Sequence, residues 1–107
     1  MVGLTKIWSI YMVMGKDQKI YTGITTDIAR RFEEHQGNGT KGAKFLRGRG
    51  PLTLMVVMPV GSQKHALRVE YLVKRLSRSR KEDIIREPAI LKSLIDREIK
   101  RKTNFEF

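Results

Sequence analysis

The sequence contains no cysteine among its 107 residues and only two histidines. Disulfide bonds, cysteine-based zinc sites and cysteine nucleophiles are therefore excluded, and a histidine-rich metal site is not expected. No apolar run approaches the roughly 20 residues that a membrane-spanning helix needs. Lys6, Trp8 and Ser9 interrupt the first apolar residues early, which is unlike a secretory signal peptide. We therefore expect a protein that acts in the cytoplasm, or in a nucleus if the cell has one.

Acidic residues are scarce relative to basic ones. The chain has 11 aspartates and glutamates against 22 lysines and arginines, which gives a formal net charge of +11. Such an excess is typical of proteins that bind a polyanion. The length accommodates one domain with one compact core. We therefore expect a nucleic acid, DNA or RNA, as the partner; a merely soluble basic protein or a ribosome-associated one would show the same excess. Charge alone does not indicate catalysis.

Three segments are rich in β-branched, aromatic and other apolar residues. Residues 7–14 and 19–24 are expected to form an antiparallel hairpin around a turn at 15–18. Residues 52–58 carry so little polarity that a central strand is expected there.

Capping residues and apolar spacing indicate helices between and after these strands. The four expected helices begin after Thr25 or Thr26, after Ser62, after Ser79 and around Pro88. The order β-β-α-β-α-α-α predicts an α+β fold, with a small antiparallel sheet flanked by helices.

Glu70 is the first candidate for a functional side chain. The helix predicted over 63–76 has an apolar face formed by Ala66, Leu67, Val69, Tyr71, Val73 and Leu76, and Glu70 falls on it. A carboxylate is costly to bury unless it is paired or binds a metal ion. A structural ion pair with Lys74 or Arg31 would explain Glu70, and so would a magnesium ion that keeps most of its waters.

Arg31 and His35 are four residues apart, so they share one face of the helix that follows the hairpin. Arginine can bind a phosphate through two hydrogen bonds, and histidine can move a proton near neutral pH. Tyr11 and Tyr21 lie on the two hairpin strands and are either core aromatics or part of the same cluster. Each residue alone is explained by packing or by solvation.

The segment 37–50 is rich in glycine and in basic residues. It is expected to be a loop whose cations grip phosphates: Lys41, Lys44, Arg47 and Arg49.

Read together, these residues resemble the GIY-YIG nuclease family, in its small stand-alone branch. The two tripeptides of the family correspond to Ser9-Ile10-Tyr11 and Tyr21-Thr22-Gly23. The ordered set that carries the resemblance is YTGIT, RRFEEH, GAKFLRGRG and ALRVEYLVK. It covers roughly residues 7–87, and residues 88–107 are expected to add a basic helix that packs on this domain or extends it.

The resemblance implies a role for each candidate. Glu70 would hold one Mg²⁺ or Mn²⁺ ion, and Arg31 would neutralise the scissile phosphate. Tyr11 or Tyr21 would activate the attacking water, with His35 as proton acceptor. A tyrosine with the ordinary pKa near 10 is a poor base at neutral pH, so this role requires nearby positive charge.

Gly23 would keep side chains from crowding the site, and Lys74 would join the loop cations in binding nucleic acid. The implied function is a metal-dependent DNA endonuclease, structure-selective or weakly sequence-specific, in repair, recombination or processing. No membrane and no small-molecule cofactor are expected, and the sequence leaves the oligomeric state open, with a monomer as one option.

The sequence departs from the family pattern at three points. Ser9 replaces the first glycine and Thr22 replaces the isoleucine. Many family nucleases have an asparagine after the helix that carries the glutamate, but the region RSRKEDIIRE has none here and Asn104 lies too far on to match. Two alternative functions remain: a catalytically silent nucleic-acid-binding module, and a basic domain that binds an acidic protein.

Overall fold

The computed structural model describes residues 6–36 and 51–104, with side chains as far as residue 101. In chain order the elements are β1 (Trp8–Met14), β2 (Ile20–Thr25), α1 (Ile28–Gln36), β3 (Thr53–Gly61), α2 (Gln63–Lys74), α3 (Arg78–Arg86) and α4 (Ala89–Asn104). Three antiparallel strands and four helices confirm the predicted α+β class and element order. None of the helices in these ranges is long and apolar enough to cross a membrane.

The central strand is β1, which pairs with β2 on one side and with β3 on the other. Ile10 and Met12 point to one face of the sheet, Tyr11 and Val13 point to the other, and all four are almost completely buried. Because successive side chains of a strand alternate between faces, β1 supplies both hydrophobic cores of the domain.

The prediction that the third strand is central was wrong. β3 lies at an edge of the sheet and continues through Pro59 to Gly61, and both Leu54 and Val57 are exposed. An edge strand tolerates proline because only one of its sides has to donate hydrogen bonds. The apolar run therefore reflects a strand with one buried face, and the doubly buried strand is β1.

Helices cover the two faces of the sheet unequally. The larger core joins Ile10 and Met12 of β1 to Val69 and Val73 of α2, and to residues of α3 and α4. The smaller core, on the opposite face, joins Tyr11, Val13 and Leu52 to Ile28 and Phe32 of α1. Consequently α1 and α2 lie on opposite faces of the sheet and flank β2.

For three helices the capping residue can be compared with the predicted one, and at two of them a different residue caps the helix. Ser62 caps α2 as predicted, with its hydroxyl accepting a hydrogen bond from the backbone N–H of His65. The side chain of Ser77 caps α3, where Ser79 was expected. Asp27, expected in the first turn of α1, accepts from the backbone N–H of Arg30 and takes the capping position itself.

The apolar face of α2 is narrower than predicted. Ala66, Val69 and Val73 are buried, but Leu67 and Tyr71 are each half exposed to solvent. These two side chains therefore belong to the outer surface of the helix.

The last helix packs on the domain. Leu91 and Ile95 of α4 join the larger core, and Glu98 is buried with one oxygen 3.8 Å from the Nε atom of Arg68 on α2. The boundary predicted at residue 87 falls between α3 and α4, and the division of the chain there stays a prediction.

Thr22 stands where the family has isoleucine, and its side chain is buried with no hydrogen-bond partner for Oγ1 among the described residues. Replacing Thr22 by valine keeps the shape and removes the unpaired hydroxyl. We expect Thr22→Val to raise the free energy of unfolding by about 1 kcal/mol. Urea denaturation followed by circular dichroism measures this.

Thr25→Val is the matched control, because the Thr25 hydroxyl does have a partner. It accepts a hydrogen bond of 3.0 Å from the backbone N–H of Asp27 at the start of α1. This variant should lose about 1 kcal/mol. A Thr22→Val variant less stable than the parent would contradict the assignment of an unpaired hydroxyl.

Candidate active site

The predicted site residues converge beside β2, where α1 and α2 approach each other around the sheet. Tyr11 and Tyr21 lie on the face covered by α1, and the ring of His35 is 5.9 Å from the first and 5.7 Å from the second, centre to centre. From α2, the Lys74 Nζ atom reaches to 5.9 Å from the centre of the Tyr21 ring. The Lys74 ammonium group forms an ion pair with the Glu70 carboxylate, with 3.2 Å between Nζ and Oε2.

A buried hydrogen bond joins Tyr11 to His35, with 2.8 Å between the phenolic oxygen and Nε2. The Arg31 guanidinium, one turn earlier on α1, also hydrogen-bonds to the Tyr11 hydroxyl. A guanidinium can only donate, so the Tyr11 oxygen accepts from Arg31, and its own proton is then available to the Nε2 atom of His35 when the imidazole carries its proton on Nδ1. This arrangement requires an unprotonated Nε2 atom on His35.

The pKa shifts of this pair agree with that proton placement. Burial raises the pKa of Tyr11 to about 12, and the hydrogen bond from Arg31 offsets only part of the effect. Burial, together with the positive charge of Arg31, lowers the pKa of His35. At neutral pH, Tyr11 is therefore a neutral phenol and His35 a neutral imidazole.

Arg31 remains a cation despite its partial burial. Burial alone would lower its pKa, but hydrogen bonds with Glu34 and Tyr11 raise it above the ordinary value. The contact with Glu34 is a 3.0 Å ion pair, and Arg30 binds the other oxygen of the same carboxylate at 2.9 Å. Glu34 thus holds Arg31 against Tyr11. Glu34 was not among the residues predicted for the site, although its three-residue spacing from Arg31 on a helix could have indicated it.

Gly23 is required by space rather than by backbone conformation. It pairs directly with Tyr11 across the hairpin, and the Tyr11 ring lies over it. A Cβ atom at this position would lie 2.6 Å from the Cζ atom of Tyr11, closer than any real contact of this kind. The absence of a side chain at residue 23 therefore sets the position of the Tyr11 hydroxyl.

Glu70 lies at the rim of the cluster, with its side chain 18 % exposed. Its negative charge is the smallest of the influences named for Tyr11 and raises the pKa of that phenol. The described residues contain no group of three or more histidine, cysteine or acidic side chains that could hold a metal ion. A metal ion at Glu70 would therefore have one protein carboxylate and mostly water, which suits magnesium better than zinc.

The structure thus brings together six of the residues predicted from the sequence: Tyr11, Tyr21, Gly23, Arg31, His35 and Glu70. Lys74 joins them as the ion-pair partner of Glu70, which is the structural explanation considered for this glutamate. Lys41, Lys44, Arg47 and Arg49 lie outside the described residues, so their contact with nucleic acid stays a prediction.

Comparison with known proteins gives a family and uncharacterised relatives. The GIY-YIG catalytic domain, a domain of a nuclease family, matches residues 7–83. A UPF0213 protein named YhbQ from Escherichia coli O127:H6 is 47% identical over 89 residues, covering 83% of this chain and 87% of the relative. The UPF0213 protein YhbQ from Escherichia coli strain K12 is 48% identical over 97 residues, which cover 87% of this chain and 95% of the relative. A UPF0213 protein from Bacillus halodurans, solved by NMR, is 43% identical and covers 74% of this chain and 82% of its own, with a TM-score of 0.48.

The raised pKa of Tyr11 can be observed directly, because tyrosinate absorbs near 295 nm. The chain has three tyrosines. We expect one of them to ionise near pH 12 and this step to vanish in Tyr11→Phe. Tyr71→Phe, which removes an exposed ring, should retain the step. Far-ultraviolet circular dichroism at the same pH values shows whether the fold persists, and loss of the late step from Tyr71→Phe would contradict the assignment.

The contact between Gly23 and Tyr11 predicts a strong interaction between the two positions. Gly23→Ala should destabilise the domain by about 1–3 kcal/mol, because the added methyl group displaces the Tyr11 ring. In a Tyr11→Ala background the same change should cost much less, since the obstructing ring is gone. Urea denaturation of the four proteins in this cycle measures the difference. An equal cost in both backgrounds would mean that the ring is not what excludes a side chain.

Proposed function

This chain belongs to the GIY-YIG family, and we propose that it is an endonuclease that hydrolyses DNA phosphodiester bonds with one Mg²⁺ or Mn²⁺ ion. The observation that carries the proposal is the buried hydrogen bond from Tyr11 to His35, flanked by Arg31 and Glu70. A phenol, a neutral imidazole, a fixed cation and a carboxylate together supply a proton path, a phosphate ligand and a metal ligand.

Glu70 is the residue that would hold the metal ion. When bound, the ion would act as a Lewis acid that stabilises negative charge on the phosphate. The donor set fits such an ion, because one carboxylate at the rim leaves room for the waters that magnesium retains. Lys74 now pairs with this carboxylate, so metal binding and the lysine compete for it.

Arg31 would bind the phosphate from the side of α1. Its guanidinium is held in place by Glu34 and keeps its charge. A positioned guanidinium stabilises a phosphate more than a mobile one, because less ordering is needed when the substrate binds.

We assign the proton transfer to Tyr11 and His35 acting in sequence. The attacking water gives its proton to the Tyr11 oxygen while Tyr11 passes its own proton to the Nε2 atom of His35. The phenol therefore never has to exist as a free tyrosinate, which its pKa of about 12 would make rare at neutral pH. Tyr21 lies edge-on to His35 and would fix the orientation of the imidazole.

The finer parts of the function rest on charge and on the family. The net charge of +11 supports a nucleic-acid substrate, and the basic loop at 37–50 is proposed to grip its phosphates without reading sequence. Weak sequence specificity and a role in repair, recombination or processing are proposed from the family alone. Action in the cytoplasm stays a prediction, and the oligomeric state stays open.

Two observations favour a second candidate, a silent nucleic-acid-binding module. The Lys74 ammonium lies 3.2 Å from the Glu70 carboxylate, and residues 78–87, which follow α2, contain no asparagine that could support a metal ion. If the lysine is never displaced, the chain binds nucleic acid without cutting it.

The test is cleavage of supercoiled, branched and single-stranded DNA with Mg²⁺, with Mn²⁺ and with chelator. Glu70→Gln should lower metal-dependent cleavage by at least 100-fold, on the order of the loss of a catalytic charge, while DNA binding stays within about 2-fold. Glu82→Gln is the matched control, because Glu82 also pairs with a cation four residues away on its helix. It should cut like the parent.

Equal cleavage by Glu70→Gln and the parent would remove Glu70 from the site. Salt-sensitive binding without any metal-dependent cleavage would overturn the nuclease and support the silent module.

A further inference from the structure

The outer face of α2 carries an exposed aromatic ring between two arginines. Tyr71 is 50 % exposed. The guanidinium carbons of Arg68 and Arg75 lie 5.6 Å and 5.3 Å from the centre of its ring. Both distances are within the range of a cation–π contact, and half of the Tyr71 surface is still exposed to solvent.

The three side chains form a ladder along the helix. Arg68 precedes Tyr71 by three residues and Arg75 follows it by four, so all three lie on one stripe. At 1.5 Å per residue, the two arginines are separated by about 10 Å along the axis. The stripe therefore presents a cation, a ring and a second cation in a row, as a single strand with alternating phosphates and bases requires.

The helix segment that carries the ladder is basic, and the acidic group that reaches it from α4 is Glu98, 3.8 Å from the Nε atom of Arg68. The segment from Gln63 to Arg75 has four lysines and arginines and a single acidic residue, Glu70, which is already paired with Lys74. An acidic protein would also meet this charge, but it would not need an open aromatic face between the cations. A nucleic-acid strand uses both features, because every base has a π face and every linkage a negative charge.

The ladder continues the candidate active site. Glu70 and Tyr71 are adjacent, so their side chains are about 100° apart around α2. Lys74 lies between these directions and reaches both Glu70 and Tyr21. A strand whose phosphate lies at the active site would therefore pass Lys74 and reach the ladder on the same helix.

We propose that this face of α2 binds single-stranded nucleic acid, with an unpaired base stacked on Tyr71 and neighbouring phosphates on Arg68 and Arg75. This deepens the proposed function, because it names the strand form that the site receives: a substrate with unpaired nucleotides beside the scissile bond. A base inside a duplex has its faces covered by its neighbours and cannot stack on the ring.

The test measures binding without cleavage. Fluorescence anisotropy measures the affinity of the full chain for two labelled probes in the presence of chelator. One probe is a 15-nucleotide single strand, and the other is a 15-base-pair duplex. Tyr71→Ala should weaken single-strand binding by about 5- to 100-fold and leave duplex binding within about 2-fold. Tyr71→Phe should bind like the parent, since the ring is retained.

Leu67→Ala is the matched control, because Leu67 is equally exposed and lies one turn before Tyr71. It should bind the single strand like the parent. Arg75→Ala should reduce the slope of log K against log salt by about 0.7, the value for one phosphate contact on a single strand. Tyr71→Ala should leave that slope unchanged.

Three results would overturn the inference. Parent-like single-strand binding by Tyr71→Ala is the first, and an equal loss for single strand and duplex is the second. The third is a loss of single-strand binding in Leu67→Ala that is as large as the loss in Tyr71→Ala, together with a change of self-association in sedimentation. That result would identify this face as an apolar protein contact. Binding that depends on Tyr71 without metal-dependent cleavage would keep this inference and overturn the nuclease.

Discussion

The buried contact between Tyr11 and Gly23 is the constraint on which the rest of the structure depends. It places a large polar ring at the centre of a three-stranded sheet, over a residue that leaves it room. A buried phenol must find a hydrogen-bond partner, and here it finds His35 and Arg31 on α1. Helix α1 is therefore docked by the same groups that give the site its chemistry.

This arrangement makes the site part of the hydrophobic core. The face of β1 that carries Tyr11 also carries Val13, and both pack with Ile28 and Phe32 in the smaller core. The low polarity of that surrounding raises the pKa of Tyr11 and lowers that of His35, so the proton stays on the phenol.

Local patterns predicted the element types well, because β-branched runs and helical spacing reflect backbone preferences directly. They were less informative about which elements lie next to each other in the fold. The run at 52–58 is as apolar as a buried strand, but whether it is central depends on which strand pairs with both others, and Pro59 was the indication of an edge. Serine at both 77 and 79 can cap a helix, and only the packing of α3 selects Ser77.

The identities of the site residues could be predicted from the sequence, but the contacts between them could not. Tyr11, Arg31 and His35 came from the family pattern, but nothing in their spacing showed that the phenol donates to the imidazole. Glu34 was missed although it lies three residues from Arg31 on the same helix, because such spacing indicates a possible ion pair but not which arginine of the site it holds. The exposure of Leu67 and Tyr71 was also missed. Helical spacing predicts which side of α2 faces the core, but it does not predict how wide the buried part of that side is.

Glu70 differs from the other site residues in a way that bears on its function. Tyr11 and His35 are fixed by burial, so changing their partners would disturb the core. Glu70 is partly exposed, and its partner Lys74 is half exposed on the same helix. An ion pair of this kind contributes little to stability, so replacing it costs the fold little. The carboxylate is thus the one member of the described cluster that can exchange a lysine for a metal ion while the proton path and the arginine stay in place.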